Sequence, residues 1–387
     1  MTTDPAGSPT AGRPARSHPL AVPTDATQVE RPVDLPATDW DRVRRVVQQL
    51  QPADDATPFQ PAPAVAPAPT PAQAPPTLEQ LIAARPAGRE LPAQWGWRGA
   101  LHRVTRGRVS LAPGAAEQAH RDDLAAIARP FEGSRTVVVV NPKGGAHKTT
   151  ASLLLAATLG QHRGGSVLAW DNNETRGTLG WRARPADHSR TAVDLLHALP
   201  QLTAQRPLRV GDLDEYVRHQ AWAHFDVLAS DEDAASAALV DAAAFQRLHA
   251  ALAAQYRLVV VDTGNNMRAS NWQAALAAAD QLVVVSTVRE DTAQSAAWLA
   301  DALRAAGHER LVAEAVTVLT APASGRDAAG SELDARIESH FARLTRTVVR
   351  VPHDRSLVAG GPVDPVVLSA STRRAWERVA AAVVCGL

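Results

Sequence analysis

Eight residues, Lys143-Gly144-Gly145-Ala146-His147-Lys148-Thr149-Thr150, constrain this chain more than any other stretch. They hold both lysines of a 387-residue sequence whose other permanently cationic side chains are all arginines. Arginine is a rigid planar fork, whereas lysine is a compact point charge on a flexible stem, the form needed to place one ammonium among phosphate oxygens. An apolar run, residues 136–140, comes before the loop, and a helical pattern, 151–159, follows it. Strand, glycine-rich loop and helix in that order are the context a phosphate-binding loop requires. Gly144 and Gly145 let the backbone come close to a ligand and aim successive N–H groups inward as an anion nest. The helix opening at Thr149 adds its positive end and unpaired N–H groups. In this arrangement Lys148 meets the β and γ phosphates and the Thr149 hydroxyl ligates Mg²⁺.

Two more apolar runs end in carboxylates. Residues 166–170 read as a strand closed by Asp171, and residues 258–261 as a buried strand closed by Asp262. Ligands of open parallel sheets bind beyond the carboxyl ends of the strands, so both carboxylates point toward the same crevice. Asp262 stands where a phosphate-binding domain holds Mg²⁺ directly or through water. Further strands are predicted at 281–287, 313–320 and 346–351, with helices at 271–279, 292–306 and 332–344. This alternation predicts an α/β domain: a mostly parallel β-sheet flanked by helices, with right-handed crossovers.

The loop, read as K-G-G-x-x-K-T-T, resembles the deviant Walker A loop of the ParA/MinD family of P-loop ATPases. That resemblance implies ATP and Mg²⁺ as cofactors, bound by Lys143, Gly144, Gly145, Ala146, His147, Lys148, Thr149 and Thr150. It implies a homodimer closed over ATP, with Lys143 reaching the partner subunit's phosphates and with Lys143, Lys148 and Asp171 in catalytic roles. The base would meet Thr320, closing one strand, and Pro352, after the next. Glycine is commonest where His147 stands. Relatives often read D-x-D where this chain has Asp171-Asn172-Asn173. An amide orients water but takes no proton, so hydrolysis is expected to be slow. Trp95-Gly96-Trp97-Arg98, Arg103-Val104-Thr105, a linker and then Leu124, Ile127 and Pro130 before the first strand resemble actinobacterial MinD-like ATPases linked to type VII secretion. Those proteins share the Asp171-x-Asn173 and Asp262-Thr263-Gly264-Asn265 forms.

The chain divides by composition into three parts. Residues 1–76 hold 16 of 28 prolines and are expected to be a disordered Pro/Ala-rich leader. Residues 61–76 suit polyproline II, and Val43, Val46, Val47 and Leu50 share one helical face within residues 40–50. Residues 77–133 form a segment carrying Trp and Arg, with six arginines against one acid between Arg85 and Arg108. It reads either as a small subdomain packing its tryptophans or as a surface for a nucleic acid, membrane or protein partner. Residues 134–387 form the ATPase-type domain, with 26 basic and 26 acidic side chains. Neutrality gives no long-range pull toward nucleic acid or anionic membrane, which leaves DNA binding weakly supported. One cysteine, Cys385, excludes a disulfide framework and a cysteine metal site. A cytoplasmic protein is expected, without a transmembrane segment, in which an unidentified protein partner docks through residues 1–133. Three functional readings stay open: a slow dimer-switch ATPase, a nucleotide-binding scaffold with little hydrolysis, and a DNA-bound partition ATPase using Arg373, Arg374 and Arg378. The last helix is expected to pack Trp376, Val379, Val383 and Leu387 on the sheet, with peripheral membrane contact the alternative.

Overall fold

The computed structural model describes residues 77–79, 91–173, 176–233, 239–321 and 328–387. The chain divides into one unit of residues 1–85 and another of residues 86–387. In the first, only 77–79 are described, with Leu78 and Glu79 helical. The leader, the 40–50 helical face and the polyproline stretch lie outside the described residues. All that follows concerns the second unit.

Eight strands form one sheet: β1 Arg135–Val140, β2 Val167–Asn172, β3 Arg218–Gln220, β4 Phe225–Leu228, β5 Leu258–Thr263, β6 Gln281–Thr287, β7 Val316–Thr320 and β8 Thr347–Val351. Their order is β3-β4-β2-β5-β1-β6-β7-β8, and every neighbouring pair is parallel except β3 with β4. This is the expected mostly parallel architecture. Side chains alternate across a strand, and β1 shows the consequence. Val138 and Val140 enter one apolar core, while Val137 and Val139 enter the other. All four are fully buried. Each such valine is worth roughly 1.5–3 kcal/mol relative to exposure. A sheet covered on both faces needs continuous apolar runs, as this sequence supplies.

Helices cover the two faces. On one lie α5 Ala192–Thr203, α6 Ala242–Ala253 and α8 Glu290–Ala305; there Trp170 stacks on Phe245 at 4.7 Å. On the other lie α3 Lys148–Arg163, which follows the phosphate-type loop, and α11 Ala370–Val384. α11 buries Trp376, Val379 and Val383, with Leu387 partly buried beside them, as expected. Among the described residues, no helix is long and apolar enough to cross a membrane.

Most predicted boundaries differ from the observed ones by one to four residues, and two of the differences have a clear local cause. The strand expected to begin at residue 313 begins at Val316, because Ala313 closes a short helix, α9 Glu309–Ala313, rich in good helix formers. The strand expected from residue 166 begins at Val167, because Ser166 sits at φ 58°, in the left-handed region.

The Trp- and Arg-bearing segment folds as α1 Gly96–Val104 and α2 Ala115–Ile127. Buried Glu117 accepts the N–H groups of Gln94 and Trp95 and pairs with Arg121, which also holds the carbonyls of Leu91 and Pro92. Trp95 packs between His120 and the guanidinium of Arg374, on α11. Trp97, by contrast, is 69% exposed. The segment thus uses one of its two tryptophans for packing.

Candidate functional site

The loop after β1 is pinned before its glycines begin. The amide of buried Asn141 donates to the carbonyls of Val285 and Thr292, on β6 and α8, and its oxygen accepts the N–H of Lys143. Gly145 (φ 78°) and His147 (φ 69°) both occupy the left-handed region. That conformation is free for glycine and costs another residue about 1–2 kcal/mol, which explains the usual glycine at the position of His147. Here His147 is held by a contact across the loop: its Nδ1 lies 3.0 Å from Thr320 Oγ1. Partial burial first, and the charge of Arg182 second, push the imidazole pKa down.

Lys148 opens α3 with its side chain buried, and its Nζ donates to Asn265 Oδ1 at 2.7 Å. Asn265 lies three residues past Asp262, and motif reading gave it no partner. Lys143, five residues earlier, is exposed. Asp262 is 4% exposed and accepts the hydroxyl of Ser152 at 3.2 Å and that of Thr149. Burial raises its pKa to about 6, against the opposing pull of Thr149, Lys148 and Ser152. Thr149, Asp262 and Lys148 therefore converge, as the strand–loop–helix reading predicts.

Asp171 stands opposite Asp262 across the β2–β5 pairing. It is buried, and its Oδ2 accepts the N–H of Leu179 at 3.0 Å. Gly177 lies directly on it: a Cβ there would stand 2.1 Å from Asp171 Oδ2 and 2.3 Å from Ser230 Oγ. Burial, then the charge of Asp262, raise its pKa to about 7. Two buried carboxylates on adjacent strands, both pushed toward neutral pH, suit the approach of a cation. Among the described residues, no three His, Cys, Asp or Glu side chains form a metal cage. One carboxylate, one hydroxyl and phosphate oxygens are the donors Mg²⁺ uses, and these residues fit that set.

From the loop a cleft of about 330 Å³ extends toward the ends of β7 and β8. Its walls include His147, Thr150 and Arg182 on one side and Thr320, Pro352 and His353 on the other. The two residues expected to meet a base, Thr320 and Pro352, therefore line one cavity with the loop, where Thr320 touches His147. Arg182, which closes a short helix, α4 Leu179–Arg182, also lines it. No motif pointed to Arg182, and only the fold brings it to the loop.

A strand, loop and helix on a parallel sheet, with a lysine, a threonine and a strand-end aspartate together, define a P-loop fold. Residues 134–307 match the family described as an AAA domain. The ESX-1 secretion-associated protein EspI of Mycobacterium tuberculosis is 28% identical over 292 residues. That match covers 75% of this chain and 42% of EspI, so the chain spans about two fifths of that relative's length. Among solved structures, a ParA family ATPase from Chlorobium tepidum is 21% identical at a TM-score of 0.52, covering 64% of this chain and 98% of that one. The cell division ATPase MinD of Pyrococcus furiosus is 18% identical at a TM-score of 0.48, covering 64% and 97%. The chain shares the P-loop fold of that ParA family ATPase.

Proposed function

We propose that this chain binds Mg-ATP in the cleft and works as a slow, nucleotide-operated dimer switch acting on a partner complex. The observation that carries the reading is the convergence of Lys148, Thr149 and Asp262 on a loop whose His147 and Thr150 line a cleft shared with Thr320 and Pro352. Lys148 would meet the β and γ phosphates, Thr149 and Asp262 would hold Mg²⁺, and the loop N–H groups would cradle the phosphate chain. The ion would neutralise charge developing on the transferred phosphoryl group. Lys143, exposed and outside this convergence, is free to reach a partner subunit's phosphates. The likeness to EspI supports a secretion-associated partner.

A second reading, a nucleotide-binding scaffold with little hydrolysis, is favoured by Asn173 and by the cover of Gly177 over Asp171. The partition reading is not favoured. Of the three exposed arginines of α11, Arg374 lies over Trp95 and Arg373 donates to the Leu368 carbonyl, and the balance of charge in the domain gives them no basic surface to join.

The test is light scattering with Mg-ATP, Mg-ADP or no nucleotide. Wild type is expected to dimerise with ATP alone. Lys143→Ala is expected to bind ATP as a monomer without dimerising. Equal loss of binding and dimerisation in Lys143→Ala and Lys148→Ala would refute the cross-subunit role.

A further inference from the structure

Arg182 is a half-buried cation without a counter-charge. Its Nη2 donates to Thr150 Oγ1 at 3.1 Å, while its Nε is buried with no partner. Among the described residues no carboxylate pairs with it, and burial alone pulls its pKa down. Other half-buried arginines are better served. Arg163 donates to the carbonyls of Ile127 and Arg129. Arg218, whose Nε is likewise buried without a partner, donates to the Gly180 carbonyl and feels the charges of Glu232 and Asp171, which Arg182 lacks. The acid nearest in the cleft wall, Asp354, is already used: it accepts from the Ser356 N–H and hydroxyl and from the Ser369 N–H. Those bonds outweigh burial and hold its carboxyl well below the ordinary range.

A guanidinium offers five donors, and one is occupied by a hydroxyl. Removing such a group from water is costly unless an anion meets it. The position says which anion. Thr149 turns toward Asp262, while Thr150, one residue on, faces the cleft beside Arg182. A nucleotide stretched from Lys148 to Thr320 would pass Thr150 with the phosphate nearest its sugar, since the lysine takes the β and γ groups.

We propose that Arg182 binds the α-phosphate of the nucleotide in the same subunit. The inference rests on the nucleotide-binding reading above and deepens it. It also gives that phosphate a grip on the segment around Asp171. Three residues before Arg182, the Leu179 N–H is held by Asp171, and the Arg182 carbonyl accepts the N–H of Val363, near the base end of the cleft. Phosphate, buried carboxylate and base-side loop thus meet at one residue. A planar fork suits this task, because two parallel N–H bonds to phosphate fix orientation as well as charge.

The experiment is competition against fluorescently labelled ADP, in Mg²⁺ buffer, on the full chain carrying Arg182→Gln or Arg182→Lys. Unlabelled ATP and ADP compete, and melting curves are recorded without nucleotide. Arg182→Gln is expected to weaken ATP and ADP by one common factor of about 10–100-fold, because both carry the α-phosphate. Arg182→Lys should fall between it and wild type. The nucleotide-free melting temperature of Arg182→Gln should not fall, because the cation removed had no anionic partner. Unchanged affinity, or a loss confined to ATP, would overturn the assignment, as would a nucleotide-free Tm several degrees lower, the mark of a structural arginine. Wild type binding neither ATP nor ADP would overturn the nucleotide reading itself, and this one with it.

Discussion

The buried carboxylate pair makes nucleotide-free stability depend on pH in a calculable way. Asp171 is raised from 3.8 to about 7 by burial and by the charge of Asp262. A carboxyl raised in the folded state contributes stability that is fully present below its unfolded value and lost as pH rises through its folded value. Below pH 4 Asp171 therefore costs nothing; by pH 8.5 it is ionised in a site that resists ionisation. A shift of about three units corresponds to roughly 4 kcal/mol, at 1.36 kcal/mol per unit. Asp171→Asn keeps the shape and the acceptor for Leu179 and removes the charge. Large domains shift by about 2 °C per kcal/mol. The variant should then melt about 4–8 °C above wild type at pH 8.5, the lower figure allowing for relaxation around the ionised group. At pH 5, where the unfolded carboxyl is already mostly ionised, about 1.7 kcal/mol of that cost remains and the gap should shrink to about 2–3 °C, vanishing near pH 4. Differential scanning fluorimetry from pH 5 to 8.5, without nucleotide or Mg²⁺, measures the gap. A gap independent of pH, or a variant less stable at pH 8.5, would refute the reasoning about burial.

Gly177→Ala puts a methyl into space held by Asp171 and Ser230. Overpacking of this kind costs about 1–3 kcal/mol, so its melting temperature at pH 6 should drop by a few degrees. Steady-state phosphate release by wild type should be slower than about one per minute, far below the usual enzyme median. Asn173→Asp, which restores a carboxylate able to position and deprotonate water, should raise that rate; general-base help is typically worth about 10²–10⁴-fold. A wild type turning over many times per second, with Asn173→Asp slower, would assign the chemistry to another group.

How much of this was legible in the sequence follows from how local each signal is. Gly144, Gly145, Lys148 and Thr149 act through the backbone and side chains of one loop, so spacing alone reveals them. Asp262 is legible because it ends a run of buried β-branched residues, Val259 to Val261. The short β3 and β4 carry no such run, and β4 pairs with β2 only after a long excursion of chain. The role of Asn265, named in the Asp262-Thr263-Gly264-Asn265 form but given no partner there, and the place of Arg182 were invisible for a different reason. Arg182 closes a four-residue helix with no periodicity, 32 residues from the Thr150 hydroxyl it meets. The partner of Lys148, 117 residues away, is brought close only by the pairing of β1 with β5. Composition left Trp95 and Trp97 open between packing and a partner surface, because it does not say which way α1 turns each ring; Trp97 turns outward.

The central claim is that Lys148, Thr149 and Asp262 form a Mg-nucleotide site, and isothermal titration of Mg-ATP into wild type and Lys148→Ala tests it most directly. Wild type is expected to bind one nucleotide per chain. Lys148→Ala removes the one ammonium buried at the loop, and losing one partner of a desolvated charge pair costs about 2–5 kcal/mol. Binding should therefore weaken by at least about 30-fold, with the variant's melting temperature close to that of wild type. Lys148→Ala binding Mg-ATP as tightly as wild type, or wild type binding none, would contradict the account.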